Sequence, residues 1–164
     1  MPPLPRLLSC LGFAALLTAI GASSSHAADE FYVGRWKIES AAVGPWWNRP
    51  AEKPDPAESR QLVGKVVTIT ARGIQGPRQV ACGNPRYEVR IYPADMLFEG
   101  MFGEMHERDK SADPAKIAAG VGFRGSSWKT LETGCATEIG YHFLDAATAD
   151  FGLNNYIYTL KKQP

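Results

Sequence analysis

Three methionines and one histidine are the side chains of this sequence best suited to holding a metal ion. Met96, Met101, Met105 and His106 combine soft thioether sulfurs with one imidazole, a set that can bind Cu(I). Methionines spaced in this way also form one packed face of a helix, where their flexible side chains fill irregular gaps. We therefore expect packing residues and assign no metal site and no cofactor, and copper binding by these four residues stays an open question.

Catalytic motifs are absent from the sequence. It contains no Gly-x-Ser-x-Gly elbow, no His-Glu-x-x-His and no phosphate-binding loop. Residues 120–125 read Gly-x-Gly-x-x-Gly, but they follow a predicted helix and precede a predicted strand, the reverse of the dinucleotide-binding order. His142 lies between Tyr141 and Phe143, so we expect it on the opposite face of a strand, as a solvated or hydrogen-bonded surface residue. The sequence predicts a protein that is not an enzyme.

Aromatic side chains offer a candidate binding site instead. Trp46 and Trp47 lie in residues 44–60, where four prolines favour a long loop, and Phe98 and Phe102 follow in a methionine-rich segment. Such residues can frame a pocket for a small apolar ligand, although they can equally close the core under loops. As an alternative, Trp46 and Trp47 would be exposed anchors for a protein partner, as in an exported hydrolase inhibitor.

The first 27 residues have the pattern of a signal peptide. Arg6 precedes an apolar run over residues 7–22, and Ser25 and Ala27 fit the small-x-small rule for cleavage. That run is shorter than the roughly 20 residues needed to span a bilayer. A lipid-attachment motif at residues 7–10 is a less favoured alternative, because Cys10 precedes most of the apolar run. The prediction is a single domain of residues 28–164, in the periplasm or secreted.

Removing residues 1–27 leaves two cysteines, Cys82 and Cys135, which we expect to form a disulfide in an oxidising compartment. A redox pair would more commonly read Cys-x-x-Cys. The remaining chain carries 17 cationic and 17 anionic side chains, which gives a formal net charge of zero. Because a nucleic-acid surface needs a basic excess, we expect no nucleic-acid partner, and no later apolar run predicts a membrane span.

Strand-like alternation dominates the region after the signal. The clearest case is residues 86–92, in which Tyr87, Val89 and Ile91 are expected on the core face. The predicted strands are residues 31–41, 62–71, 79–82, 86–92, 127–133, 137–144, 148–152 and 156–161. Short helices are predicted around residues 96–105 and after Asp113-Pro114, an N-cap followed by a first-turn proline. The expected fold is mainly β, a small antiparallel barrel of about seven or eight strands, with a two-sheet sandwich as the alternative.

The first strand carries Gly34-Arg35-Trp36, which resembles the opening of the calycin superfamily, the lipocalins and fatty-acid-binding proteins. The resemblance implies that Trp36 packs across one end of a barrel, with a basic residue of the last strand over its ring. Lys161 is the residue we assign to that role, with Lys162 as the other candidate. The Arg-x-Tyr carboxylate clamp of fatty-acid-binding proteins is missing, so a fatty acid is not implied. The resemblance favours a lipocalin-like carrier of a small apolar molecule.

Overall fold

The computed structural model describes residues 30–47, 52 and 54–164. The predicted signal peptide, residues 1–27, lies outside the described residues. Three helices are present in the described part, α1 (Pro56–Leu62), α2 (Leu97–Arg108) and α3 (Pro114–Gly120), with a 3₁₀ turn at Ala94–Met96 before α2. The strands there are β1 (Gly34–Val43), β2 (Val66–Thr70), β3 (Gly73–Gln75), β4 (Glu88–Tyr92), β5 (Trp128–Glu132), β6 (Gly140–Phe143), β7 (Thr148–Leu153) and β8 (Tyr156–Lys162).

These strands form one antiparallel sheet in the order β3-β2-β1-β8-β7-β6-β5-β4. The sheet curls into a half-barrel, and the pairing of β1 with β8 places the first and last strands in its middle. This arrangement confirms the predicted fold class, a mainly β, antiparallel, small barrel-like fold with short helices.

Large aromatic side chains fill the concave side of the sheet. Trp36, Tyr141, Phe151 and Tyr158 are all fully buried there, and the rings of Phe151 and Tyr158 stack with centroids 5.0 Å apart. Small barrels are commonly filled by side chains in this way. The interior of the half-barrel is therefore a packed core.

A second core lies on the convex side, where α2 and α3 cover the sheet. Leu97 and Phe102 of α2, Ala118 of α3 and Phe123 pack with Ile157 of β8. Alternation along β8 explains the two cores, because Tyr156 and Tyr158 point to the concave side while Ile157 points to the helices. Strands β6, β7 and β8 are thus buried on both faces over most of their length.

Two short helices begin with the same dipeptide. The predicted helix after Asp113 is confirmed, and the Asp113 Oδ1 atom accepts hydrogen bonds from the amides of Ala115 and Lys116. The prediction of a loop over residues 44–60 is wrong at its end, because Asp55 caps α1 in the same way, accepting from the Ala57 amide at 2.8 Å. Both helix starts therefore carry the same sequence signal, an Asp N-cap followed by a proline in the first turn.

The short strands near Cys82 also differ from the prediction. Residues 73–75, for which no strand is predicted, form β3, whereas the strand predicted over residues 79–82 is reduced to one bridge between Ile74 and Cys82. Val89 and Ile91 of β4, predicted to face the core, are 44% and 60% exposed. They are exposed because β4 ends the sheet and has a neighbour strand on one side only.

The predicted pairing of Cys82 with Cys135 is confirmed, since their Sγ atoms lie at a bonding distance of 2.07 Å. Cys82 exchanges two backbone hydrogen bonds of 2.8 Å with Ile74 of β3, and Cys135 follows β5. Because β3 and β5 lie near opposite ends of the strand order, the bridge holds the two ends of the curled sheet together.

The basic residue over Trp36 is Lys162, which corrects the assignment of Lys161. Lys162 lies directly opposite Trp36 in the β1–β8 pairing, and its Nζ atom is 5.3 Å from the Trp36 ring centroid. Lys161 points to the other face of β8, where its Nζ atom donates to Thr148 Oγ1 at 2.6 Å.

A Lys162→Met substitution tests this end of the barrel. Lys162 Nζ also donates to the Phe31 carbonyl at 2.7 Å, so the variant loses a cation–π contact and a hydrogen bond while keeping an apolar stem. We expect the free energy of unfolding in urea to fall by about 1–2 kcal/mol. Lys161→Met is the matched control on the opposite face, and a larger loss in that control would contradict the assignment.

Candidate functional site

The most unusual backbone of the described residues lies at the start of α2. Phe98, Glu99 and Gly100 have φ angles of +52°, +58° and +79°, which form a left-handed turn within the helix. Residues other than glycine rarely adopt this backbone conformation, and it persists only where surrounding contacts hold it. Here the amide of Phe98 donates a 2.9 Å hydrogen bond to Nε2 of His142 on β6.

His142 is a structural acceptor in the second core. Because Nε2 accepts from Phe98, the proton of the neutral ring lies on Nδ1, which donates to Thr130 Oγ1 at 2.8 Å. Burial lowers the pKa of His142 to about 3, so the ring stays neutral. The residue does lie on the opposite face from Tyr141 and Phe143, but the prediction of a surface position is wrong, since the helices cover that face.

A groove of about 340 Å³ lies beside this turn. The described residues contain four non-glycine residues with left-handed backbone, Phe98, Glu99, Glu138 and Asn154, and all four line this groove. The other lining residues are Trp46, Met101, Thr137, Ile139, Gly152 and Leu153. Strained backbone clusters at binding and catalytic sites in proteins, so the groove is the best candidate site in this part of the chain.

Trp46 forms one wall of the groove. Its Nε1 atom donates to the carbonyl of Asn154 at 2.8 Å, and its ring centroid lies 5.6 Å from that of Phe98. The absence of a side chain at Gly152 makes this packing possible, because a Cβ atom there would lie 3.3 Å from Phe98 and 3.6 Å from Trp46. The wall is therefore an aromatic surface held in a fixed orientation.

Glu99 supplies the electrostatic character of the groove. Its Oε1 atom accepts a 3.1 Å hydrogen bond from the Gly140 amide, so the carboxyl end turns inward although the residue as a whole is exposed. Withdrawal from water raises the pKa of Glu99, the hydrogen bond from the Gly140 amide opposes this shift, and repulsion from Glu132 and Glu138 adds to it. The resulting pKa is about 7. Near neutral pH this carboxyl group exchanges between its charged and uncharged forms.

The structure brings together two of the four predicted ligand-binding residues. Trp46 and Phe98 line the groove, while Phe102 is fully buried behind them. Trp47 does not line the groove, and its indole N–H donates to the Glu52 carbonyl at 3.1 Å. Sequence reasoning missed Glu99, although a carboxylate between apolar Leu97-Phe98 and Gly100 was a signal that could have found it.

The predicted methionine and histidine group is divided between different surroundings. Met96 is 43% exposed, Met101 lines the groove, and Met105 packs against the second core. The Nδ1 atom of His106 lies 2.9 Å from the Ala112 carbonyl. Within the described ranges, no three His, Cys, Asp or Glu residues are placed to hold a metal ion.

Comparisons with protein-family models, with curated proteins and with solved structures found no match to this chain. The calycin resemblance thus rests on Gly34, Trp36 and the basic residue of the last strand. In the part of the chain that the structure describes, no helix is long and apolar enough to span a membrane.

Proposed function

We propose that this protein acts by binding a small organic cation in the outer groove, with Trp46 against the apolar part of the ligand and Glu99 near its charge. The observation that carries the proposal is the lining itself. It combines an oriented indole with the carboxyl groups of Glu99 and Glu138, and none of its ten residues is basic. A cation placed there is attracted by both carboxylates and by the face of the indole ring.

The size of the groove supports a small ligand. Its volume of about 340 Å³ lies at the lower end of the range for small-molecule sites. A ligand inside the half-barrel would have to displace fully buried side chains such as Trp36 and Tyr158. The groove replaces the barrel interior as the location for a bound molecule.

The alternative function, a protein-binding module or hydrolase inhibitor, needs Trp46 and Trp47 as free anchors. Both residues are half-buried, and both indole N–H groups already donate to backbone carbonyls. This arrangement favours the small-ligand function. The disulfide is compatible with an oxidising compartment, and we place the binding function after export, in the periplasm or outside the cell.

Titration with phenethylammonium, followed by tryptophan fluorescence, tests the proposal. We expect binding to strengthen as the pH rises from about 6 to about 8, because the cation favours the ionised form of a carboxyl group whose pKa is about 7. Glu99→Gln should weaken binding about tenfold at pH 8 and remove this pH dependence. The neutral analogue 2-phenylethanol should bind more weakly than the cation at every pH.

Glu104→Gln is the matched control, since Glu104 is an exposed residue of α2 that pairs with Arg108 at 2.8 Å. It removes the same charge away from the groove and should leave the titration unchanged. Equal binding by wild type and Glu99→Gln, or no response of either to millimolar phenethylammonium, would refute the proposed function.

A further inference from the structure

The free edge of β4 is the exposed surface that the packing leaves unexplained. At the other end of the sheet, β3 is covered by Cys82, which exchanges two 2.8 Å backbone hydrogen bonds with Ile74. Among the described residues, β4 pairs with β5 alone, so one side of its backbone has no strand partner. Such an edge is a template for pairing with another chain.

Apolar side chains accompany this unpaired backbone. Val89 and Ile91 remain 44% and 60% exposed, although Val89 lies opposite Leu131, which is fully buried. The apolar surface of the sheet thus continues from β5 onto β4 and stops at the edge. A further strand alongside β4 would cover both residues.

The charge pattern of β4 is complementary to that of a second β4 strand placed antiparallel to it. Protected edges commonly carry like charges that repel a second copy. Here Glu88 and Arg90 have opposite signs, share one face, and form a 2.7 Å ion pair at the surface. In an antiparallel pair of two β4 strands centred on Val89, Glu88 of each copy would lie opposite Arg90 of the other, and Tyr87 opposite Ile91. A register centred on Arg90 would instead place two arginines opposite each other.

We propose that β4 pairs with β4 of a second copy of this chain, antiparallel about a twofold axis at Val89. The pairing joins two curled sheets into one and covers Val89 and Ile91. It replaces the two internal Glu88–Arg90 pairs, one in each copy, by two pairs between the copies. This contact is isologous, because the same strand contributes the same residues from both sides. It is independent of the proposed ligand groove, whose residues lie on other elements.

Analytical ultracentrifugation over a concentration series, with the purified full chain, tests the pairing. We expect a monomer–dimer equilibrium. Arg90→Glu alone places glutamates opposite glutamates, Glu88→Arg alone places arginines opposite arginines, and each should weaken the dimer about tenfold or more. A mixture of the two single variants should form a heterodimer, and the double variant Glu88→Arg, Arg90→Glu should dimerise like the wild type.

Arg72→Glu is the control for Arg90→Glu, since it makes the same change of charge at an exposed turn between β2 and β3. It should leave the dimer intact. The rescue by mixing separates the proposed register from a simple folding defect, which mixing could not repair. A wild type that stays monomeric at all concentrations would overturn the proposal. A dimer unaffected by Arg90→Glu, or one not restored in the mixture, would overturn it as well.

Discussion

Removal of the Cys82–Cys135 bridge is expected to lower the free energy of unfolding by about 4 kcal/mol, the largest effect of any change considered for this chain. The bridge joins residues separated by 53 positions, so it excludes many extended conformations of the unfolded chain. In the folded chain it also holds the β3 end of the sheet to the segment after β5. Both effects are lost in a Cys82→Ala, Cys135→Ala variant.

Urea unfolding measures this loss. With a slope of about 2 kcal/mol per molar urea, the midpoint should fall by about 2 M. Reduced wild type should unfold like the double variant, and dithiothreitol should not change the double variant further. A Cys10→Ser background removes the remaining cysteine and prevents thiol exchange in a chain that retains residue 10. Coincident curves for oxidised and reduced wild type would contradict the expected stabilisation.

The strands were largely predictable because alternation is a local signal. Residues 148–152 and 156–161 were assigned within one residue of β7 and β8. Asp113-Pro114 located α3, since capping depends only on neighbouring backbone groups. Asp55-Pro56 has the same N-cap and first-turn proline and marks the start of α1. This helix start was predictable from the sequence, but the prolines of residues 44–60 led to the prediction of a loop.

Burial on the convex face was not readable from alternation. His142 and Thr130 occupy positions that alternation assigns to water, and they are buried only because α2 and α3 pack over β5 and β6. Val89 and Ile91 show the opposite error, because they are predicted to be buried and are exposed. An alternating pattern does not distinguish an edge strand from a strand in the middle of a sheet. Both outcomes depend on tertiary contacts distant in sequence.

The candidate groove was only half predictable. Aromatic residue type pointed to Trp46 and Phe98, but the left-handed turn at Phe98 and Glu99 depends on the His142 acceptor, 44 residues away. Register, by contrast, was readable, because Tyr158 and Leu160 point inward and the next inward position on β8 is Lys162. The resemblance to calycins supplied the idea of a basic residue, and alternation could have chosen between the two lysines.

A buried polar row crosses the sheet, and two of its residues make stability depend on pH. Pairing places Thr130 opposite His142, His142 opposite Asp150, and Asp150 opposite Thr159. Asp150 is almost fully buried, and its Oδ1 atom has no hydrogen-bond partner. Burial raises the pKa of Asp150 to about 6, while its hydrogen bond with Thr159 and the charge of Lys161 oppose the shift.

Because the pKa of Asp150 is higher in the folded chain than in the unfolded chain, the folded chain holds this proton more tightly. The contribution of Asp150 therefore favours folding near pH 4 and is lost as the pH rises through about 6. Glu99 acts in the same direction up to about pH 7. His142, whose pKa is lowered to about 3, acts in the opposite direction, since it must release a proton to fold.

Asp150→Asn is expected to stabilise the protein by about 3 kcal/mol at pH 7.5, because it removes a buried charge and keeps the side-chain shape. The difference in unfolding free energy between variant and wild type isolates Asp150 from Glu99 and His142, which both chains share. Measured by urea unfolding, that difference should be small near pH 4, rise with pH, and level off above about pH 6.

Asp145→Asn is the control with the opposite sign. Asp145 is exposed, and hydrogen bonding to the Ala147 amide lowers its pKa, so its contribution to stability is present at neutral pH and lost as the pH falls. Its variant should therefore be slightly less stable than wild type at pH 7.5. If the difference in unfolding free energy between Asp150→Asn and wild type stayed constant with pH, or fell as the pH rose, ionisation of the buried Asp150 carboxyl group would not destabilise the fold.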